Sequence, residues 1–321
     1  MYIFEEVYPF LENLGIKIKI LYKLPPVKPA NEILEHYYFD GKVMLSTAKK
    51  YAIEKDSEGN IVVYILHPRR TNPPLELIFW DQLLKQNATF IHASGIVRKG
   101  DAIIFPAWPE TGKTSLIVAL LKLDKSLMML SDDYVILSAS GDAYPYPRPF
   151  AVYSYHTSLF LDYFKKRPLD LFRLKMAHIL KKFNIPYSRL QKTLNITEPL
   201  WIPWSQVFPD RLASKGKLKR VYLLTKTLLS SGFKITPVNL EVIIKHAYLC
   251  IIYDLLAPLM QDAIALTSFG FMNVFNDLQK HLEILRKSLK GCELYNVILP
   301  RNTNFNKIAV KILSHMADKM E

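Results

Sequence analysis

Residues 102–122 read AIIFPAWPETGKTSLIVALLK. Within them Ala107, Trp108, Pro109, Glu110, Thr111, Gly112, Lys113 and Thr114 follow the spacing G-x-x-x-x-G-K-[ST], with alanine at the first glycine. A loop of this kind binds phosphate when it follows an apolar strand and opens a helix. Ala102 to Pro106 and Thr114 to Leu123 carry those two patterns. Backbone N–H groups at the helix start would face the phosphates, and the helix dipole favours negative charge there. Glu110, Thr111, Gly112, Lys113, Thr114 and Ser115 are the candidate nucleotide contacts, with Ala107 opening the loop. Lys113 can set an ammonium on the β and γ oxygens, and the Thr114 hydroxyl can ligate Mg²⁺. Two departures weaken the cradle. Alanine at 107 takes a positive φ only at a cost, and Pro109 has no N–H to offer.

The helix from Thr114 is about 15 Å long at 1.5 Å per residue. The chain then returns through apolar Leu127 to Leu130. A right-handed crossover would bring the end of that strand beside the loop. Ser131, Asp132 and Asp133 stand there. Two carboxylates next to phosphates suit a Mg²⁺ partner and a base for an incoming hydroxyl; the plainer alternative is a capped turn. Sequence leaves the order of the two roles open. The preferred order puts Asp133 with Thr114 on the metal and Asp132 at the hydroxyl. His92 lies on the strand before the loop strand and is as readily structural as functional. Arg148 lies in YPYPRPF, where Pro145, Pro147 and Pro149 stiffen the backbone. It could bridge transferring phosphate oxygens or sit on the surface. Arg98 and Lys99, before Gly100, read as a hairpin turn.

The elements around these residues suggest an α/β chain with a small β-rich N-terminal domain. GKVMLSTAKKYAIEK and NIVVYILHP are strand-like, with a turn at 56–60. Leu24 to Ala30 reads as a loop, and Pro68 to Pro74 as a linker that closes a domain of residues 1–75. A kinase-sized remainder, 76–321, follows. Its expected order is a helix over 75–90, strands over 90–97 and 102–106, a helix over 114–123, and strands over 127–130 and 134–138. A basic, mainly helical insertion comes next, at about 156–218, with Leu171, Leu174, Ala177 and Leu180 on one side of a helix. A strand over 220–225, helices over 239–260 and 273–289, a strand over 294–299 and a closing helix over 304–317 complete it.

The chain has 321 residues, half of them hydrophobic, which excludes a mainly disordered polymer. Two cysteines, Cys250 and Cys292, exclude a disulfide scaffold and a zinc site built from cysteines, and fit a reducing cytoplasm. The first ten residues carry acids where a secretion signal needs bases. The apolar stretch Ala247 to Leu266 is interrupted by Asp254, Gln261 and Asp262, so a buried helix explains it better than a membrane span. The net charge is +13, and +10 of it lies in residues 161–220. Lys165, Lys166, Lys181, Lys182, Arg189, Lys215, Lys217 and Lys219 are the candidate RNA contacts. Tyr163, Phe164, Phe172, Phe183, Tyr187, Trp201, Trp204 and Phe208 are interleaved with them. Cations with stackable rings suit a polyanion with exposed bases, although a charge run is often only a solvated face.

Together, His92-Ala-Ser-Gly, GDAIIFPAWPETGKTS, LSDDYVIL and YPYPRP resemble the HPr kinase/phosphorylase superfamily, whose nucleotide core is similar to that of phosphoenolpyruvate carboxykinases. The likeness covers about residues 88–150 and extends through VYLLTK to the C-terminal strand and helix. It implies a mixed-sheet P-loop kinase core, ATP, Mg²⁺ and phosphoryl transfer to a hydroxyl. It gives Lys113 and Thr114 the loop roles, Asp132 and Asp133 the acid pair, and His92 the histidine that lines the site. The extra signature by which the bacterial enzymes bind their protein substrate has no counterpart here. In its basic character the chain is similar to the archaeal tRNA kinases, which phosphorylate a ribose 2′-hydroxyl. The expectation is therefore a cytoplasmic, ATP-dependent RNA kinase acting on tRNA or another structured RNA, with no membrane partner. The alternatives are a kinase of free serine, another small hydroxyl compound or a protein serine, and a silent nucleotide-binding regulator. The last should have lost one of Lys113, Thr114 or the acids.

Overall fold

The computed structural model describes residues 18–23, 32–34, 36–57, 59–65, 73–146, 148–183, 185, 196–227, 232–300 and 303–317. The expected loop at Leu24–Ala30 and nearly all of the expected linker lie outside these. Within them the chain is mixed α/β, with two large sheets of mixed strand direction.

The first sheet holds β1 (Ile18–Leu21), β2 (Glu32–Leu34), β3 (Tyr37–Phe39), β4 (Val43–Ser46), β5 (Tyr51–Lys55) and β6 (Ile61–Ile65), in the order β1-β6-β5-β4-β3-β2. Met44, Tyr51, Ile53 and Val63 are fully buried and face a cluster shared with α1 (Leu75–Lys85). Helix α1 ends five residues before the expected Phe90. Asn87 takes a positive φ, which breaks the helix and releases Ala88 into a strand.

The second sheet holds the candidate chemistry. Its strands are β7 (Ala88–Arg98), β8 (Asp101–Pro106), β9 (Met128–Ser131), β10 (Tyr134–Ser138), β11 (Asp142–Pro145), β14 (Gly216–Lys226), β15 (Lys234–Pro237) and β16 (Glu293–Leu299). Lys99 and Gly100 form the β7–β8 turn, both at positive φ, as the sequence suggests. Strand β8 pairs antiparallel with β7 and parallel with β14, and β14 pairs parallel with β16. Helix α2 (Lys113–Leu123) connects β8 to β9. The crossover skips a strand: β9 lands on the far edge of β7 instead of beside β8. The acids reach the loop across β7, not along a neighbouring parallel strand.

Between β12 (Phe150–Val152) and β13 (Leu200–Ile202), which pair with each other, the chain runs through α3 (Leu161–Lys166) and α4 (Pro168–Lys182). Phe160, Phe164 and Leu174 join the cluster that buries Leu116 and Leu120 of α2. Strand β14 starts at Gly216, before the expected Arg220. Its alternation is a strand's: Lys217 and Lys219 point out, Leu218 and Arg220 point in. Gly216 is required, because a Cβ there would stand 2.8 Å from Val97 Cγ2.

The run Leu240–Ser268 has the length and hydropathy of a membrane span. It is interrupted: α5 (Leu240–Ile251) passes into a π-helical turn, Ile252–Leu256, then a 3₁₀ turn and α6 (Met260–Ser268). Ile243, Ile244 and Ala247 pack on the second sheet's core, and Leu255, Ala265 and Leu266 on the cluster shared with the first. Asp262 is buried and accepts from the Tyr37 and Tyr51 hydroxyls, with Lys49 beside it. Helices α7 (Val274–Leu289) and α8 (Phe305–Ala317) complete the fold.

Candidate active site

The residues of the 107–114 loop join β8 to α2. Ala107 is fully buried, continues the strand and bridges Leu224 of β14. It is not among the positive-φ residues, so the expected cost of alanine there does not arise. Glu110 (φ +61°) and Gly112 (φ +105°) take the left-handed turns instead. Gly112 is irreplaceable on a second count, since a Cβ would lie 2.1 Å from Phe305 Cζ. It caps α2 without a side-chain hydrogen bond, so the first-turn N–H groups of α2 keep no intrahelical partner.

Strand β7 sets the geometry of the acids. Its C-terminal half pairs with β9 and its N-terminal half with β10. Asp132 and Asp133 fall at the step between, opposite Ala93 and Ser94. There Ala93 N donates to Asp133 O, and Ser94 Oγ donates to Asp132 O and Oδ1. On the other side of β7, Ala93 stands opposite Pro106, the last residue before the loop. The acids therefore sit level with the loop, one strand away.

Thr114 Oγ1 donates to Asp132 Oδ2 at 2.9 Å. Burial and the Asp133 charge push the Asp132 carboxyl up to about 6, against the Thr114 and Ser94 hydrogen bonds. Asp133 is the more open carboxylate, its side chain 37% exposed. Burial would raise its pKa, but His92 Nε2 at 3.5 Å and Arg148 Nη1 at 3.3 Å hold it well below the usual carboxylate range. Burial opposes a charge on His92 as well, yet Asp133 and Asp254 raise its pKa to about 10. Lys113 is buried, its Nζ 3.2 Å from Ala107 O and 3.5 Å from Trp108 O. Burial lowers its pKa, and the two acids counter this.

These groups line one cavity of about 620 Å³, within the range of small-molecule sites. It contains His92, Lys113, Thr114, Asp132, Asp133 and Arg148 together. A second hollow of about 450 Å³ opens beside it under Trp108 and Lys226. The fold does not make the pairing of Thr114 with Asp133 that the sequence suggests. Asp132 is the acid against Thr114, because the step in the β9–β10 run turns Asp133 toward His92 and Arg148.

Several residues in or behind the cavity wall escape the sequence reading. Ser94 holds Asp132, and Glu76 stands 3.6 Å from Arg148. Tyr153 and Tyr155 stack at 5.4 Å beside the cavity, where Trp201, one of the rings interleaved with the basic segment, lies 5.5 Å from the Arg148 guanidinium carbon. Asp254 is visible in the sequence only as an acid interrupting an apolar helix.

The basic segment does not form one surface. Lys165, Lys166, Lys181 and Lys182 are exposed on α3 and α4. Glu198, beside His178 of α4 and accepting from Ser154 N, ties α4 to the cavity rim. Lys215, Lys217 and Lys219 lie at the opposite end of the sheet. Lys217 pairs with Asp101 at the start of β8, whereas Ala107 is level with Leu224. That interval of strand is on the order of 20 Å. Lys217 is also occupied, donating to Ser140 O. Arg189 lies outside the described residues. No family model matches the chain, and no curated protein matches it either.

Proposed function

We propose that the chain is an ATP-dependent kinase that phosphorylates a hydroxyl, with a ribose 2′-hydroxyl of tRNA or another structured RNA as the acceptor. The observation that carries this reading is the meeting of Lys113, the Thr114–Asp132 pair and Asp133 in one cavity. The α2 N-terminus and Lys113 hold the β and γ phosphates. The hard oxygen donors of Thr114 and Asp132 fit Mg²⁺, which when bound neutralises phosphate charge. Asp133 takes the proton of the acceptor hydroxyl on its carboxylate. His92 and Arg148 keep that carboxylate ionised and oriented, and Arg148 faces the transferring oxygens. An RNA acceptor is supported by the exposed lysines of α3 and α4 and by the rings of Tyr155 and Trp201, 65% and 46% exposed, on which a base can stack.

A kinase of free serine, another small hydroxyl compound or a protein serine is the second reading. It is favoured by the distance of Lys215, Lys217 and Lys219 from the cavity. The experiment is incubation with γ-labelled ATP and Mg²⁺ in the presence of total tRNA, serine or a protein extract. Label in tRNA at a ribose hydroxyl is the expected result. Label confined to serine or protein promotes the second reading, and no transfer to any acceptor removes both.

A further inference from the structure

Behind Asp133 lies a second cluster, which shares His92 with the proposed site and adds Cys250 and Asp254, two residues that the proposed transfer does not use. A His92 ring nitrogen, Cys250 Sγ and an Asp254 carboxylate oxygen lie within 4.8 Å of one another. They come from two elements. His92 is on β7, Cys250 is in the last turn of α5, and Asp254 is in the π-helical turn that follows. Cys250 and Asp254 are four residues apart, so they share a helix face, and π-helical turns recur at functional sites. Two atoms of the cluster are decisive. His92 Nδ1 and Asp254 Oδ2 are in contact, yet neither makes an aligned hydrogen bond, and both are shut off from solvent. His92 is 8% exposed. The two form a buried ion pair, and a divalent cation bound between them would take the place of the imidazolium proton.

We infer that His92, Cys250 and Asp254 form a binding site for a thiophilic divalent metal ion of the Zn²⁺ class. A thiolate with an imidazole selects Zn²⁺ over Mg²⁺, which prefers oxygen donors alone. Ligands about 2.0–2.3 Å from one tetrahedral ion stand roughly 3.3–3.8 Å apart, a spacing the cluster reaches with a small outward turn of Asp254 at the cavity wall. Three protein ligands leave a fourth position open, the pattern of zinc sites that face a ligand. The opposite ring nitrogen fits too. His92 Nε2 is 3.5 Å from Asp133 Oδ1, and a metal-bound imidazole commonly gives its other N–H to a carboxylate. His246 Nε2 is 3.5 Å from Cys250 Sγ. Binding exchanges the thiol proton and any Nδ1 proton for the ion and releases them to solvent.

The test uses the full chain, stripped of metal and titrated with Co²⁺ alone. One equivalent should bind and give a near-ultraviolet thiolate-to-cobalt band, which Zn²⁺ should displace. Cys292→Ser should keep the band, because Cys292 lies elsewhere, between α7 and β16. Cys250→Ser should remove it. Asp254→Asn should weaken Zn²⁺ binding by more than the roughly 10–100-fold that loss of a supporting contact causes. Circular dichroism of each variant separates loss of the site from loss of the fold. Absence of a stoichiometric Co²⁺ band in the wild type, or a band that survives in folded Cys250→Ser, overturns the assignment. Neither outcome touches the kinase reading, which needs no metal at this position.

Discussion

The 107–114 loop and the 161–220 segment are both marked by cations, and the fold uses those cations in opposite ways. Lys113 is buried but faces a cavity, its ammonium near two loop carbonyls. In the basic segment, Arg211 is half-buried and fixed by backbone carbonyls. Its guanidinium donates to Leu121 O at 2.7 Å, Asp124 O at 2.9 Å and Leu127 O at 3.1 Å. Leu121 is in the last turn of α2, so Arg211 satisfies the carbonyl end of the same helix whose N–H end forms the loop. Arg220 is buried against Glu293 and Met316 O. A count of charges cannot tell such arginines from those that meet a ligand. A motif can, because it fixes backbone as well as side chain.

The sharpest way to break this contrast is Lys113→Ala. Transfer should fall by at least about 10²–10³-fold, the scale for losing one preorganised donor, while the melting temperature barely moves. Near-wild-type turnover in this variant would falsify the loop assignment. Next in size is the separation of the acids. Asp133→Asn should lower the rate by roughly 10²–10⁴-fold at every Mg²⁺ concentration, since a proton acceptor is lost. Asp132→Asn should lose less and recover partly at high Mg²⁺, since it sits with Thr114 at the proposed metal position. The reverse pattern of rescue would restore the order preferred from sequence.

Arg211→Ala probes the other region. Removing several charge-assisted bonds to carbonyls should lower stability by about 2–4 kcal/mol, seen as a lower denaturant midpoint at unchanged slope. Lys181→Ala, by contrast, should stay within about 0.5 kcal/mol of wild type. Equal effects from the two variants would mean that the segment's cations are not divided into internal and external sets.

How far the molecule is legible in its sequence follows the same line. Strand β10 and helix α7 fall within a residue of their sequence limits, because periodicity and flanking turns agree there. The loop, its lysine and the acid pair are legible because each is local in sequence. What stays hidden is non-local. The crossover from β8 past β7 to β9 depends on which edge of β7 is free. The pairing of Thr114 with Asp132 depends on a step where two short strands meet one long one. Strand β14 reads as basic loop up to Lys219 because lysines on its outer face mask the period of two. Asp254, marked only by a break in hydropathy, is brought to His92 by packing that no local pattern records.

The smallest effect concerns the cations left on the outside. Helix α4, which carries Lys181 and Lys182, meets the cavity rim through His178 and Ser154, and Lys215 and Lys219 are at the far end of the sheet. If RNA is the acceptor, replacing Lys181 and Lys182 with Ala should weaken binding several-fold at moderate salt. It should also flatten the slope of log affinity against log salt by about 1.4–1.8, the share of two phosphate contacts. Lys215→Ala with Lys219→Ala should leave that slope unchanged. ATP binding should be the same in both double variants, since neither touches the loop. Filter binding of tRNA across a salt series, with fluorescent ATP as control, measures all three. A slope that responds to the β14 pair and not to the α4 pair would move the RNA to the other end of the sheet, away from the acids, and would leave the small-hydroxyl acceptor as the better account of the cavity.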